Sequence, residues 1–71
     1  MTVASVTITV NGASRTVAAG TTIADLLVSL GLEGAAVAVA CNDRVVRRAD
    51  HATATLHEGD RVEIIRAVAG G

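Results

Sequence analysis

Hydrophobic and polar residues alternate near the start of the chain: Val6, Ile8 and Val10 fall on one parity, Thr7 and Thr9 on the other. Alternation of β-branched residues predicts a half-buried strand. Asn11-Gly12 follows and marks a hairpin, because both residues tolerate the positive φ that a two-residue turn demands. Ser14 to Val17 is then the returning strand, and Ala18 to Thr21, with Gly20, a short connection. The period now changes. Thr22-Ile23-Ala24-Asp25 reads as a capping box, the Thr22 hydroxyl accepting from the Asp25 N–H while the Asp25 carboxylate reaches back. Ile23, Leu26, Leu27 and Leu30 recur at helical spacing and form one apolar stripe. Gly31 falls where a left-handed residue ends a helix. A short helix with a single apolar face must lie on something, and the sheet is the one candidate.

The second half returns to strands. Val37, Val39 and Cys41 alternate with Ala36, Ala38 and Ala40, which predicts a strand covered on one side and tight on the other. Asn42-Asp43 is a turn candidate, and Arg44 to Arg47 a brief hairpin partner. Arg48 to Thr55 has no regular pattern. Glu58-Gly59-Asp60 predicts a tight turn into a last strand, Arg61 to Arg66, with Val62 and Ile64 on one face. The order is ββαβ(β)β. One helix across a mixed sheet of four to five strands, whose first and last strands pair side by side, is an α+β arrangement of the ubiquitin-like β-grasp type. The expected division is a β-grasp domain over residues 1–66 and a flexible tail, 67–71, ending in Gly-Gly.

Composition narrows the class. Seventy-one residues make one domain, and one this small buries only about 60% of its unfolded surface. The chain is 51% hydrophobic without Phe, Trp, Tyr or Pro, so Val, Ile, Leu and Ala must build its core. A net charge of -1 and the lack of aromatic stacking groups exclude a general nucleic-acid binder. Mean hydropathy is +0.52, yet the longest strongly apolar stretch, Gly34 to Asn42, is about half the ~20 residues of a membrane span. No basic segment precedes the first apolar residues, so no signal peptide is expected. The single cysteine has no disulfide partner in the chain, which fits a reducing compartment. The expectation is a soluble cytoplasmic protein.

These pieces together resemble the ThiS family, the sulfur carriers of thiamine biosynthesis. The resemblance is carried by Val10-Asn11-Gly12, Thr22 to Leu27, Val37 to Ala40 with Asn42, Val45-Val46, and Gly59 to Ile64 running into Ala67-Val68-Ala69-Gly70-Gly71. The departures are Cys41, where the family more often has a small aliphatic residue, Arg47 in a place often held by Pro, and His51 near a usual aromatic. The resemblance implies a carrier that is not itself an enzyme and binds no cofactor or metal. An E1-like adenylating enzyme would use ATP and Mg²⁺ to activate the Gly71 carboxylate. A sulfur donor such as a cysteine desulfurase would then displace AMP to give a thiocarboxylate, and a thiazole synthase would receive the sulfur. Gly70 and Gly71 have no Cβ to obstruct a narrow channel. Ala69 and Ala67 are nearly as slim, leaving Val68 the one sizeable group of the tail. Two alternatives share these features: the small subunit of molybdopterin synthase, and a ubiquitin-like modifier or interaction module. The first usually carries Pro shortly before its Gly-Gly, and this chain has none. The absence of Lys excludes a modifier that builds chains on itself.

Other residues have plainer readings. Cys41 shares a parity with Val37 and Val39, so it is expected as a small core residue rather than a persulfide acceptor. His51 and His57, near Asp50, Glu58 and Asp60, lack metal-ligand spacing and are expected as solvated loop residues. Arg44, Arg47, Arg48, Arg61 and Arg66 are candidates for a basic face that steers an acidic partner. Strand parity puts Thr7, Thr9, Arg61 and Glu63 on the open face of the sheet, where β-grasp carriers usually dock.

Overall fold

A computed structural model describes residues 4–66. The tail expected over 67–71, with Ala67, Val68, Ala69, Gly70 and Gly71, lies outside the described residues. Five strands form one mixed sheet in the order β2-β1-β5-β3-β4. They are β1 (Ser5–Val10), β2 (Ala13–Ala18), β3 (Val37–Cys41), β4 (Arg44–Val46) and β5 (Arg61–Arg66), with helix α1 (Ile23–Ser29) between β2 and β3. β1 and β5 run parallel; the other neighbours are antiparallel. This is the β-grasp arrangement that the sequence pattern implied, with five strands.

Both hairpins turn on asparagine. Asn11 and Gly12 have φ of 51° and 84°, and Asn42 and Asp43 have φ of 52° and 68°. Such left-handed pairs make two-residue loops whose twist matches the strands they join. Val10 therefore faces Ala13, and Cys41 faces Arg44. β2 gains one residue at each end over the expected Ser14–Val17. β4 stops at Val46 because Arg47 leads into a short 3-10 helix, Arg48–Asp50, inside the segment that had no readable pattern.

The helix is closed at both ends. The Asp25 N–H donates to the Thr22 hydroxyl at 3.2 Å, and the Thr22 N–H donates to the Asp25 carboxylate at 3.1 Å, completing the capping box. The two N–H groups before Asp25 find tertiary partners: Ile23 donates to the Ala54 carbonyl and Ala24 to that of His51, each at 2.9 Å. At the other end Gly31, φ 74°, donates to the Val28 carbonyl and Leu32 to that of Leu27. That crossed pair satisfies carbonyls that a helix end leaves open.

Ile8, Val39 and Val62 from the sheet, Ile23, Leu26 and Leu27 from the helix, and Leu56 form the buried core. Each such side chain contributes about 1.5–3 kcal/mol by leaving water. Leu56 comes from a loop, yet it is 1% exposed. Its N–H donates to the Thr21 carbonyl at 2.8 Å, and Thr55 bridges to Thr22. The 51–56 segment thus seals the N-terminal end of α1. Leu56→Ala is expected to lower unfolding stability by about 2–5 kcal/mol. Ile65→Ala, at a site 66% exposed, should change it by less than about 0.5 kcal/mol. Urea denaturation of the two variants checks the contrast.

Candidate functional site

β5 carries the chain toward the glycine tail, and its placement is the best-specified feature of the molecule. It lies inside the sheet, between β1 and β3. The parallel ladder with β1 runs well past the strand ends. Gly59 N–H donates to the Thr7 carbonyl at 2.8 Å, Thr9 N–H to that of Asp60 at 3.0 Å, and Asn11 N–H to that of Val62 at 2.9 Å. The Glu58 carboxylate takes the Thr7 N–H at 2.9 Å, standing in for a backbone carbonyl. The Asn11 carboxamide then acts as one more peptide unit. Its Oδ1 accepts the Ile64 N–H at 2.8 Å and its Nδ2 donates to the Ile64 carbonyl at 3.2 Å.

Asn42 does similar work at the other end of β5. Its backbone N–H donates to the Arg61 carbonyl at 2.8 Å, and its Oδ1 accepts the Arg61 N–H at 2.9 Å. Its Nδ2 donates to the Asp60 carboxylate at 2.9 Å. Asp60 also accepts the His57 backbone N–H at 2.8 Å, closing the turn that Gly59, φ 83°, makes possible. Nothing in a single sequence signals that Asn11 and Asn42 reach β5, since an asparagine at positive φ is already explained by its turn.

The open face of the sheet is as strand parity implied. Thr9 stands beside Arg61, Ala40 beside Glu63 and Val45, and Ala38 beside Ile65. Thr7, Arg61, Glu63, Ile65 and Val45 are exposed, Val45 by 80%. Small alanines flanked by exposed Val45 and Ile65 make an apolar strip beside a polar one.

Two of the five candidate arginines are held by carboxylates. Arg61 holds Asp43 at 2.8 Å, an ion pair that raises the already high Arg61 pKa, and Arg47 holds Asp50 at 3.3 Å. The expectation for the histidines holds for one of them. His57 is exposed, its Nδ1 3.9 Å from Asp60. His51 is not solvated but buried, at 8% exposure, because its ring Nε2 bonds the Val46 carbonyl at 3.1 Å and ties the 3-10 segment to β4. Among the described residues no three His, Cys, Asp or Glu side chains are grouped as metal ligands would be. No helix among them is long and apolar enough to cross a membrane.

Cys41 packs against the core at the start of β5, opposite Val62. The strand leaves toward the tail four residues later, at Arg66, roughly 13 Å away along the strand. Partial burial pushes the thiol pKa up, and the nearby Asp60 carboxylate pushes it further. The protonated thiol favoured by the fold contributes stability below the ordinary thiol pKa, and that contribution is lost as pH rises through the higher folded value. Native Cys41 should therefore alkylate more slowly at pH 8 than the denatured chain. Its rate profile should move to lower pH in Asp60→Asn, as followed by iodoacetamide labelling and mass spectrometry.

A mixed five-stranded sheet with one helix packed on it and its last strand at the centre is a ubiquitin-like β-grasp fold. The ThiS family model matches residues 8–71, and the chain belongs to that family. The crystal structure of a thiamine biosynthesis protein (ThiS) from Geobacter metallireducens is similar, with a TM-score of 0.78 and 34% identity, covering 92% of this chain and 99% of that one. Two curated thiazole synthases are also similar. One, from Magnetococcus marinus, is 38% identical over 61 residues, 86% of this chain. The other, from Paramagnetospirillum magneticum, is 34% identical over 62 residues, 87% of this chain. The chain spans 19% of the length of each.

Proposed function

We propose that this protein is a sulfur carrier of thiamine biosynthesis whose working group is the Gly71 carboxylate. The observation that carries the reading is a β-grasp body of the ThiS family with its central strand running into Gly70-Gly71. A carboxylate is a poor electrophile because its charge is spread over two oxygens. An E1-like adenylating enzyme removes that obstacle: a Gly71 oxygen attacks the α-phosphorus of Mg·ATP, and pyrophosphate leaves. The terminal sulfur of a desulfurase-derived persulfide then attacks the acyl carbon, and AMP departs to leave an acyl disulfide. A thiol reductant cleaves its S–S bond, releasing the thiocarboxylate and leaving a disulfide on the donor side.

The carrier's own contribution is shape. Gly70 and Gly71 let the carbonyl approach a nucleotide without a Cβ in the way, and Ala69 and Ala67 keep the tail slim around Val68. Ordering such a tail costs roughly 1–2 kcal/mol per residue, which partner contacts must offset. The open face, with Val45 and Ile65 beside Thr7, Thr9, Arg61 and Glu63, is suited to supply them. The names of the similar thiazole synthases favour a thiazole synthase as the recipient. The unpaired thiol fits work in the reducing cytoplasm.

Incubation with the adenylating enzyme, Mg·ATP, a desulfurase, cysteine and a thiol reductant should raise the intact mass by the oxygen-to-sulfur difference, located at Gly71. Deleting Gly71 should abolish the change. An unchanged mass with an adenylating enzyme proven active on another carrier overturns the reading. Ile65→Arg should slow loading at least about tenfold, as truncation of a central contact residue does, while leaving the melting temperature in place.

A further inference from the structure

The edge of the sheet at β4 is uneven. β4 ends at Val46, opposite Val39, whereas β3 begins two residues earlier at Val37. In an antiparallel strand the N–H and C=O of one residue point to the same neighbour, and successive residues alternate between neighbours. Asn42 donates to Arg61, so Ala40 and Ala38 also point to β5, and Val37, Val39 and Cys41 point to β4. Cys41 meets Arg44 and Val39 meets Val46. The position facing Val37 in that register is Arg48, where the chain has already turned into its 3-10 helix. No described residue is seated to take the N–H and C=O of Val37.

Beside that unfilled edge lies a groove of about 540 Å³. Leu27 and Val28 of α1, Leu32 and Ala52 give it an apolar lining, and Val37 itself borders it. Val28 is 54% exposed. The other large exposed hydrophobics, Val45 and Ile65, belong to the open face, so Val28 has no part in that surface. An unpaired strand edge next to an apolar groove is the combination that extended peptides use: main-chain bonds to the edge, alternate side chains into the groove.

Charge says what kind of peptide. Arg48 lines the groove and has no carboxylate within ion-pair distance among the described residues, whereas its neighbour Arg47 is engaged by Asp50. Arg66, paired with Val37 from β5, lies on the other side of β3 from this edge and outside the lining, so Arg48 is the groove's positive charge. Glu33, also in the lining, opposes an acidic group at its own position. A second copy of this chain is a poor occupant, because joining two β3 edges at Val37 brings the Arg48 charges of both copies together.

We propose that the groove between α1 and the free edge of β3 receives an extended apolar segment of a partner protein, which adds as a short strand at Val37 and sets one carboxylate against Arg48. The segment leaves the open face uncovered, so this contact goes beyond the carrier role and stands or falls apart from it.

Panning a displayed library of random heptapeptides against the full chain tests it. Enriched peptides should alternate apolar residues and carry an acidic residue at one flank. A synthetic copy should slow hydrogen exchange of the Val37 amide. Its affinity should fall about tenfold or more in Val28→Arg and in Arg48→Glu, and persist in Ile65→Arg. Should Val28→Arg fail to fold, Ala52→Arg and Arg48→Glu carry the same test. Failure to enrich any peptide overturns the proposal. So do peptides without alternation, binding indifferent to the groove variants, or binding lost in Ile65→Arg. Self-association of the chain that Val28→Arg abolishes would assign the groove to a second copy and overturn it equally.

Discussion

The last strand of the chain runs through the middle of the sheet, and two asparagine side chains hold it there. Central placement gives β5 a hydrogen-bonded neighbour on each side, and Asn11 and Asn42 extend those ladders where the neighbouring backbones turn away. Much else follows from this. Val62 reaches the centre of the core because β5 is central, and the sheet tolerates a short β4 because β3 is already anchored on its other side. A chain with no aromatic residue has little apolar area per side chain to spend on alignment. Directional bonds from two turn residues do part of that job.

The same constraint separates two ends of the molecule. The start of β5 is crowded: Asp60 gathers Asn42, the His57 backbone and the Cys41 thiol, and Arg61 reaches Asp43. That cluster closes turns, and its Asp60 charge adds to the burial that raises the Cys41 thiol pKa. The far end of β5, at Arg66, pairs with Val37 and has no such cluster among the described residues. Under the proposed function, chemistry on a terminal carboxylate does not call on Cys41, which lies at the start of β5.

Local signals were legible wherever one stretch of chain decides its own shape. Alternation in β1, β3 and β5, the Asn11-Gly12 and Asn42-Asp43 turns, the Thr22–Asp25 box and the Gly31 cap all depend on neighbours within a few residues, and all are present as read. Residues whose role is set from a distance were not legible. Leu56 sits in an unpatterned stretch and enters the core because Thr21 and Thr22 hold that stretch against the helix. His51 looked like a loop histidine because its bond to Val46 links segments that only tertiary packing brings together. The ion pairs of Arg47 and Arg61 similarly removed charges that composition alone assigned to a basic face. The resemblance to the ThiS family covered the tail, where periodicity has nothing to say.

Sulfur donation from Gly71 is the property on which the functional reading rests, and it can be measured with the activating step left out. A Gly71 thiocarboxylate, prepared by cleaving a C-terminal thioester with sulfide, would be given to a purified thiazole synthase with its other substrates. Thiazole should form in proportion to the thiocarboxylate supplied, with none from the carboxylate form. Equal product from both forms, or none from either while another ThiS-family thiocarboxylate supports the same enzyme, would contradict it.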